Sequence, residues 1–342
     1  MKPTLTQLIA PYRSISLIGM CKNAGKTTAL NQIIRSCSGH RQVLALTSIG
    51  RDGESKDLVT GTKKPGIYVP EGTLIATASD LILRHCDLTR EILDTTGIST
   101  PMGDVVIFRA RSDGAVQLAG PSMTAQLARL REDFFRFGAD KVLIDGALSR
   151  KTLCSRSVTE ATILCTGASY HKNLQTVVDD TAFQCQLLTL PEVNDPQIQS
   201  YVNSLEDFRG TILFGDGLPY PLPAGVSLED GLRRPEAAGV HTVFFGGALS
   251  DFSMKPLLMS SAKLQDLRFI VRDSSKLLLN RDTYEKMLRR GITLQVLDSV
   301  NLAAVTINPF SAYGYSCPKE ELLARMEAKI SLPVINVMED AI

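Results

Sequence analysis

The residues with the most evident chemistry stand near the N-terminus, in the run Gly19-Met20-Cys21-Lys22-Asn23-Ala24-Gly25-Lys26-Thr27-Thr28. A glycine-rich turn between an apolar strand and a helix aims several backbone N–H groups, and the positive end of the helix dipole, at one spot. That spot suits a polyphosphate. Gly25 permits close backbone approach, Lys26 reaches β- and γ-phosphate oxygens, and Thr27 offers a hydroxyl oxygen to a nucleotide-bound Mg²⁺. The expected nucleotide contacts are therefore Gly19, Lys22, Asn23, Ala24, Gly25, Lys26, Thr27 and Thr28.

A magnesium nucleotide also needs a carboxylate at the tip of a buried strand. Val142-Leu143-Ile144-Asp145-Gly146-Ala147 supplies one, with Asp145 expected to hold the metal through water. Asp52 follows the apolar run at 43–48, the second strand, and is the second candidate for positioning Mg²⁺ or an attacking water. Its neighbour Glu54 could do the same, and a plain exposed acidic turn accounts for both. Glu71, in Pro70-Glu71-Gly72-Thr73, is a third candidate that turn chemistry explains equally well. The expected catalytic set is Lys26, Asp145 and Asp52; the metal set is Thr27, Asp145 and Asp52; the cofactors are ATP and Mg²⁺. ATP is preferred to GTP because no Asn-Lys-x-Asp box is present. The nearest text, His171-Lys172-Asn173, has no acid at the required place.

These residues need a scaffold, and the chain alternates short apolar runs with amphipathic stretches, the pattern of βα units around a parallel sheet. Strands are predicted over residues 14–19, 43–48, 104–109, 141–145, 161–166 and 184–190, and helices over 25–37, 78–86, 88–95 and 125–137. Residues 55–75 are polar and punctuated by Gly and Pro, which predicts a loop or lid. Gly and Pro concentrate again over 215–239. The expected division is therefore a nucleotide-binding domain over 1–214, a linker over 215–239 and a second α/β domain over 240–342. Strands at 241–245, 267–271, 293–297, 303–307 and 333–337, with helices at 281–290 and 319–329, fill that second part. A short echo, Gly146-Ala147-Leu148-Ser149 and Gly247-Ala248-Leu249-Ser250, follows an apolar strand each time.

Composition narrows the classes. A length of 342 residues fits two domains of roughly 150–200 residues each. Net charge is only +1 with no block of one sign, which predicts neither a nucleic-acid nor a membrane partner. No apolar run reaches the ~18 residues of a spanning helix, and the first twelve residues lack the apolar centre of a secretion signal. Seven cysteines scattered singly fit reduced thiols, so the cytoplasm is the expected compartment. The four histidines are isolated and no CxxC pair occurs, which argues against a zinc site.

Five residues separate Gly19 from Gly25, one more than in the common phosphate loop, or P-loop. This spacing resembles that of dethiobiotin synthetase, as does the acid-Gly-Ala ending at Asp145-Gly146-Ala147. The text from Lys22 to Thr28 resembles the loops of the MinD and nitrogenase iron protein group, where an extra lysine touches the partner's nucleotide across a dimer interface. Lys22 stands one residue closer to Lys26 than in that group, and a solvated loop lysine accounts for it as well. A homodimer around nucleotide is what this resemblance implies.

A wider resemblance rests on residues 21–28, 71–78 (Glu-Gly-Thr-Leu-Ile-Ala-Thr-Ala), 118–122 (Leu-Ala-Gly-Pro-Ser), 145–151 (Asp-Gly-Ala-Leu-Ser-Arg-Lys) and 165–169 (Cys-Thr-Gly-Ala-Ser). Together they resemble the ATPase subunit of the lysine 5,6-aminomutase reactivase. The likeness spans roughly residues 10–190 and runs more loosely through Thr306-Ile307-Asn308-Pro309 and Tyr313-Gly314-Tyr315. It implies a P-loop NTPase whose ATP hydrolysis drives release of damaged cobalamin from an adenosylcobalamin-dependent aminomutase. It also implies that mutase, and a second reactivase subunit, as partners, with 240–342 as the partner-binding part. The rival reading is an ATP-dependent ligase or kinase of the dethiobiotin synthetase type, for which Arg150 and Lys151 could bind an anion. A metal- or cofactor-inserting GTPase is disfavoured by the missing guanine box.

Overall fold

Six-residue and five-residue runs with every position buried, such as Ser14–Gly19 and Leu44–Ser48, mark strands covered on both faces. The computed structural model describes residues 3–38, 42–50, 66–147, 156–205, 208–262 and 264–338. The chain divides into two compact units, Met1–Cys185 with Asn301–Ile342, and Gln186–Val300. The first unit opens with α1 (Leu5–Ile9), β1 (Ser14–Gly19), α2 (Lys26–Ser38), β2 (Leu44–Ser48), β3 (Ile67–Val69) and β4 (Leu74–Ala78). It continues through α3 (Ser79–Arg84), β5 (Arg90–Thr100), β6 (Gly103–Ala110), β7 (Gly114–Val116), α4 (Thr124–Arg136), β8 (Lys141–Ala147), β9 (Ala161–Gly167) and α5 (Leu174–Leu188). The second unit holds α6 (Pro196–Asn203), β10 (Thr211–Phe214), β11 (Tyr220–Pro221), α7 (Leu228–Leu232), β12 (Thr242–Phe245), β13 (Leu249–Ser250) and α8 (Asp251–Met259). It closes with β14 (Arg268–Asp273), β15 (Leu277–Leu278), α9 (Arg281–Arg289) and β16 (Thr293–Asp298). The chain then returns to the first unit with β17 (Leu302–Asn308), α10 (Lys319–Lys329) and β18 (Val334–Asn336).

The first unit is an α/β structure around a nine-stranded mixed sheet ordered β18-β17-β9-β1-β8-β2-β4-β6-β5. All neighbours from β18 to β4 are parallel, and β6 and β5 close one edge antiparallel. Leu30, Ile33 and Ile34 of α2 pack with Leu5 and Ile9 of α1 and with Ile15, Leu17, Leu143 and Ile163 of the sheet. Three-to-four-residue spacing on α2 supplies that apolar stripe. The second unit has its own five-stranded sheet, β11-β10-β12-β14-β16, in which β12, β14 and β16 run parallel. Among the described residues, no helix is long and apolar enough to cross a membrane.

Four expectations change. Residues 88–95, predicted helical, instead contain the start of β5, where Thr95, Thr96 and Ile98 favour an extended chain against β6. Of residues 184–190, predicted as a strand, 184–188 form the last turn of α5, with Leu187 and Leu188 buried as helix positions. The loop expected over 55–75 lies partly outside the described residues, and its end carries β3 and the start of β4. The division at 215–239 falls inside the second unit, and 301–342 belongs to the first. The reason is a non-local pairing: β17 joins β9, with Thr306 beside Cys165 and Ile307 beside Thr166.

Candidate phosphate-binding site

The loop between β1 and α2 leaves the sheet at Gly19, whose register partners are Ala147 on β8 and Cys165 on β9. The first loop amide, Met20 N–H, donates to the Cys165 carbonyl at 2.8 Å. Two loop residues take the left-handed conformation, Asn23 at φ 60° and Gly25 at φ 91°. Asn reaches that region at modest cost and Gly at none. Gly25 then gives its carbonyl to the Ala29 amide at 2.9 Å, starting the helical ladder of α2. No acid occupies the first turn of α2, so the positive helix end meets no carboxylate of its own there.

Lys26 folds back over this turn. A Cβ built on Gly19 would stand 3.1 Å from Cγ, Cδ and Nζ of Lys26, so the lysine side chain lies against the bare glycine at the strand end. Asp145 is buried on the adjacent strand, paired in register with Leu17 on one side and Ser48 on the other. Its carbonyl accepts from the Ile49 amide at 3.0 Å. Burial pushes the Cys165 thiol up to about 11, while the Lys26 charge draws it down and the Asp145 charge raises it. The two charges therefore lie within electrostatic reach of the same sulfur. Burial likewise raises the Cys21 thiol to about 11 against the pull of Lys26.

The other expected residues divide. Ala24 is buried, Asn23, Thr27 and Thr28 are half-buried in the turn and first helical residues, and Lys22 is exposed. Glu71 precedes β4, whose Leu74 pairs with Ala45, so it stands at the amino edge of the sheet, opposite the loop. There its amide donates to Asp113 Oδ1 at 2.8 Å, a turn contact. Glu71 is thus not brought to the site. Asp52, Glu54, Arg150 and Lys151 lie outside the described residues. Asn173 caps α5, accepting from the Gln175 and Thr176 amides at 2.8 and 3.3 Å, which accounts for it without a base.

Two features escaped the sequence reading. Asn308, at the end of β17, fills the space beside Gly25: a Cβ there would be 3.0 Å from Asn308 Cβ. The Asn308 carbonyl accepts from the Ala168 amide at 2.9 Å, and its Oδ1 accepts from Phe310 N–H at 3.0 Å. The segment 118–122 crosses the carboxyl ends of β2 and β4. The Gly120 amide donates to Ser48 Oγ at 3.2 Å, the Gly50 amide to the Pro121 carbonyl at 2.9 Å, and the Ala78 amide to the Ala119 carbonyl at 2.9 Å. A side chain on Gly120 would collide with the Ser48 carbonyl. The only sequence signal for either was resemblance, through 118–122 and Asn308-Pro309.

The geometry fits a bound polyphosphate with its metal. One cation lies over a turn that two glycines keep open, a helix begins there without an acid, and a buried carboxylate sits on the neighbouring strand. Comparisons with protein-family models, curated proteins and solved structures give no match to this chain.

Proposed function

We propose that residues 19–28 form a P-loop that binds ATP with Mg²⁺, and that the first unit is a P-loop NTPase domain. The observation that carries this reading is Lys26 lying back over Gly19, on the strand directly beside the one bearing Asp145. Lys26 would hold β- and γ-phosphate oxygens, and loop amides would take the remaining phosphate contacts. Thr27 would give its hydroxyl oxygen to Mg²⁺, with Asp145 behind it through water. Thr27 and Asp145 would hold Mg²⁺ there, and the ion would supply positive charge against the phosphates. Asp145 is buried at the sheet end, so its charge is weakly screened, while Lys26 is half-buried and can reach an incoming phosphate.

On the resemblance of the five segments, the client is an adenosylcobalamin-dependent aminomutase. ATP-bound and ADP-bound states would differ in affinity for it, and hydrolysis would drive release of damaged cobalamin. Six cysteines without disulfide partners among the described residues support a reducing compartment, hence the cytoplasm. The second reading is a ligase or kinase of the dethiobiotin synthetase type. It draws on segment 118–122, which puts further backbone at the carboxyl edge near Asp145 through Ser48.

The deciding experiment is magnesium-dependent ATP turnover by the purified protein, alone and with a corrinoid-dependent aminomutase, with Lys26→Ala as control. Slow turnover that the mutase stimulates, and that the variant abolishes, supports the reactivase. Nucleotide binding that depends on Lys26 but ignores the mutase moves the function to a small-molecule ligase. Retention of ATP binding by Lys26→Ala removes the P-loop assignment itself.

A further inference from the structure

The unit Gln186–Val300 is inserted into the chain between β9 with α5 and β17, because the path leaves the first unit after Cys185 and returns at Asn301. The strands on both sides of this insertion touch the phosphate loop. On the outgoing side the Met20 amide donates to the Cys165 carbonyl of β9 at 2.8 Å. On the return side Asn308 of β17 occupies the space beside Gly25, at 3.0 Å from the position a Cβ would take. The two strand tips are also tied together, since the Ala168 amide donates to the Asn308 carbonyl and a side chain at Gly167 would collide with that carbonyl. Gly25 sits at φ 91°, so the turn has a defined shape and no spare room against Asn308. A shift of Gly25 towards β17 would press on Asn308.

We infer that phosphate occupancy of the loop fixes Asn308 and is passed through it to β17, the strand on which the chain returns from the inserted unit. The inference rests on the P-loop reading. Coupling of this kind is reciprocal: anything that binds the inserted unit and shifts β17 changes phosphate affinity by the same factor. A register shift between Leu302 and Ala304 gives β17 an irregular joint next to the return point.

The test is hydrogen exchange on the full chain with magnesium tripolyphosphate, a probe that has no base and so cannot touch Asn308 through one. Backbone amides over 302–308 should exchange at least about fivefold more slowly with the probe bound, the low end of typical coupling factors. Asn308→Ala, which keeps the Cβ beside Gly25, should retain that protection. Asn308→Gly should bind the probe, by calorimetry, while losing it; this separates a positioning role from general damage. Binding by the wild-type protein with unchanged exchange over 302–308 overturns the inference, as does full protection in Asn308→Gly. Failure of both tripolyphosphate and ATP to bind is a different result, which removes the P-loop reading and the inference with it.

Discussion

Gly19 and Lys26 lie on each other although seven positions separate them, with the lysine side chain occupying the space a methyl group on Gly19 would need at 3.1 Å. Gly19→Ala should therefore displace the lysine without disturbing the buried strand. The expected result is a loss of Mg·ATP affinity of about tenfold, near 1.4 kcal/mol, with thermal stability almost unchanged. Calorimetry and a melting curve on the same preparation check it. Unaltered affinity would mean that the lysine position is incidental.

Gly25→Ala tests the other end of the turn. Its φ of 91° and the neighbouring Asn308 both oppose a side chain. A cost of about 1–2 kcal/mol in urea unfolding is expected from the backbone alone, together with loss of nucleotide binding. Asn23→Gly, at φ 60°, should be neutral or slightly stabilising by the same argument.

Asp145→Asn keeps size and removes charge at a buried position one strand from the loop. If the carboxylate holds Mg²⁺ through water, turnover should fall about 10–100-fold while metal-free nucleotide affinity stays the same or rises. Equal activity of variant and wild type over a magnesium titration would exclude the role.

Alkaline pH should weaken the fold through its buried thiols. Burial raises Cys165 to about 11 and Cys185 to about 12, from an ordinary value of 9.0. Below pH 9 both states hold the proton and the thiols add no pH dependence. Above it the unfolded chain loses the proton first, so stability falls as pH climbs from 9 towards about 11–12, by up to about 1.4 kcal/mol per pH unit for each thiol. Cys185→Ala should make the decline between pH 9 and 11 shallower than in the wild type. An unchanged slope in denaturant titrations at these pH values would show that other groups set it.

Lys141 provides a control away from the site. Its side chain is buried at the amino end of β8, where Nζ donates to the Ile9 carbonyl at 2.8 Å and to the Tyr12 carbonyl, and burial lowers its pKa. Lys141→Met removes the Lys141 donor from the Tyr12 carbonyl and leaves the Ile9 carbonyl with the Tyr12 amide at 3.1 Å, and should cost about 1–3 kcal/mol in stability. Nucleotide affinity should not change, as measured below the shifted melting temperature.

The turn after Gly19, the strands 14–19 and 141–145 and the helix after Gly25 were legible in the sequence because their signals are local. An apolar run, a glycine-rich turn and a lysine at a fixed offset specify chemistry within a few dozen residues. Residues 88–95 and 184–190 were misread for the opposite reason. Short apolar runs fit either helix or strand until a partner is known, and here β6 made one a strand while the end of α5 made the other a helix.

By itself, then, the sequence determined the α/β pattern, and it offered a candidate phosphate loop with a candidate carboxylate to serve it. Tertiary structure alone decided that the strand bearing Asp145 lies directly beside the strand bearing Gly19, that Glu71 stands at the opposite edge, and that 118–122 and Asn308 close in on the site. It also decided that 301–342 completes the first sheet and does not extend the second unit. Strand order and packing depend on pairings between residues more than a hundred positions apart, such as Thr306 with Cys165. Backbone hydrogen bonds of that kind carry no local mark, since every strand offers the same donors and acceptors until the fold chooses its neighbour.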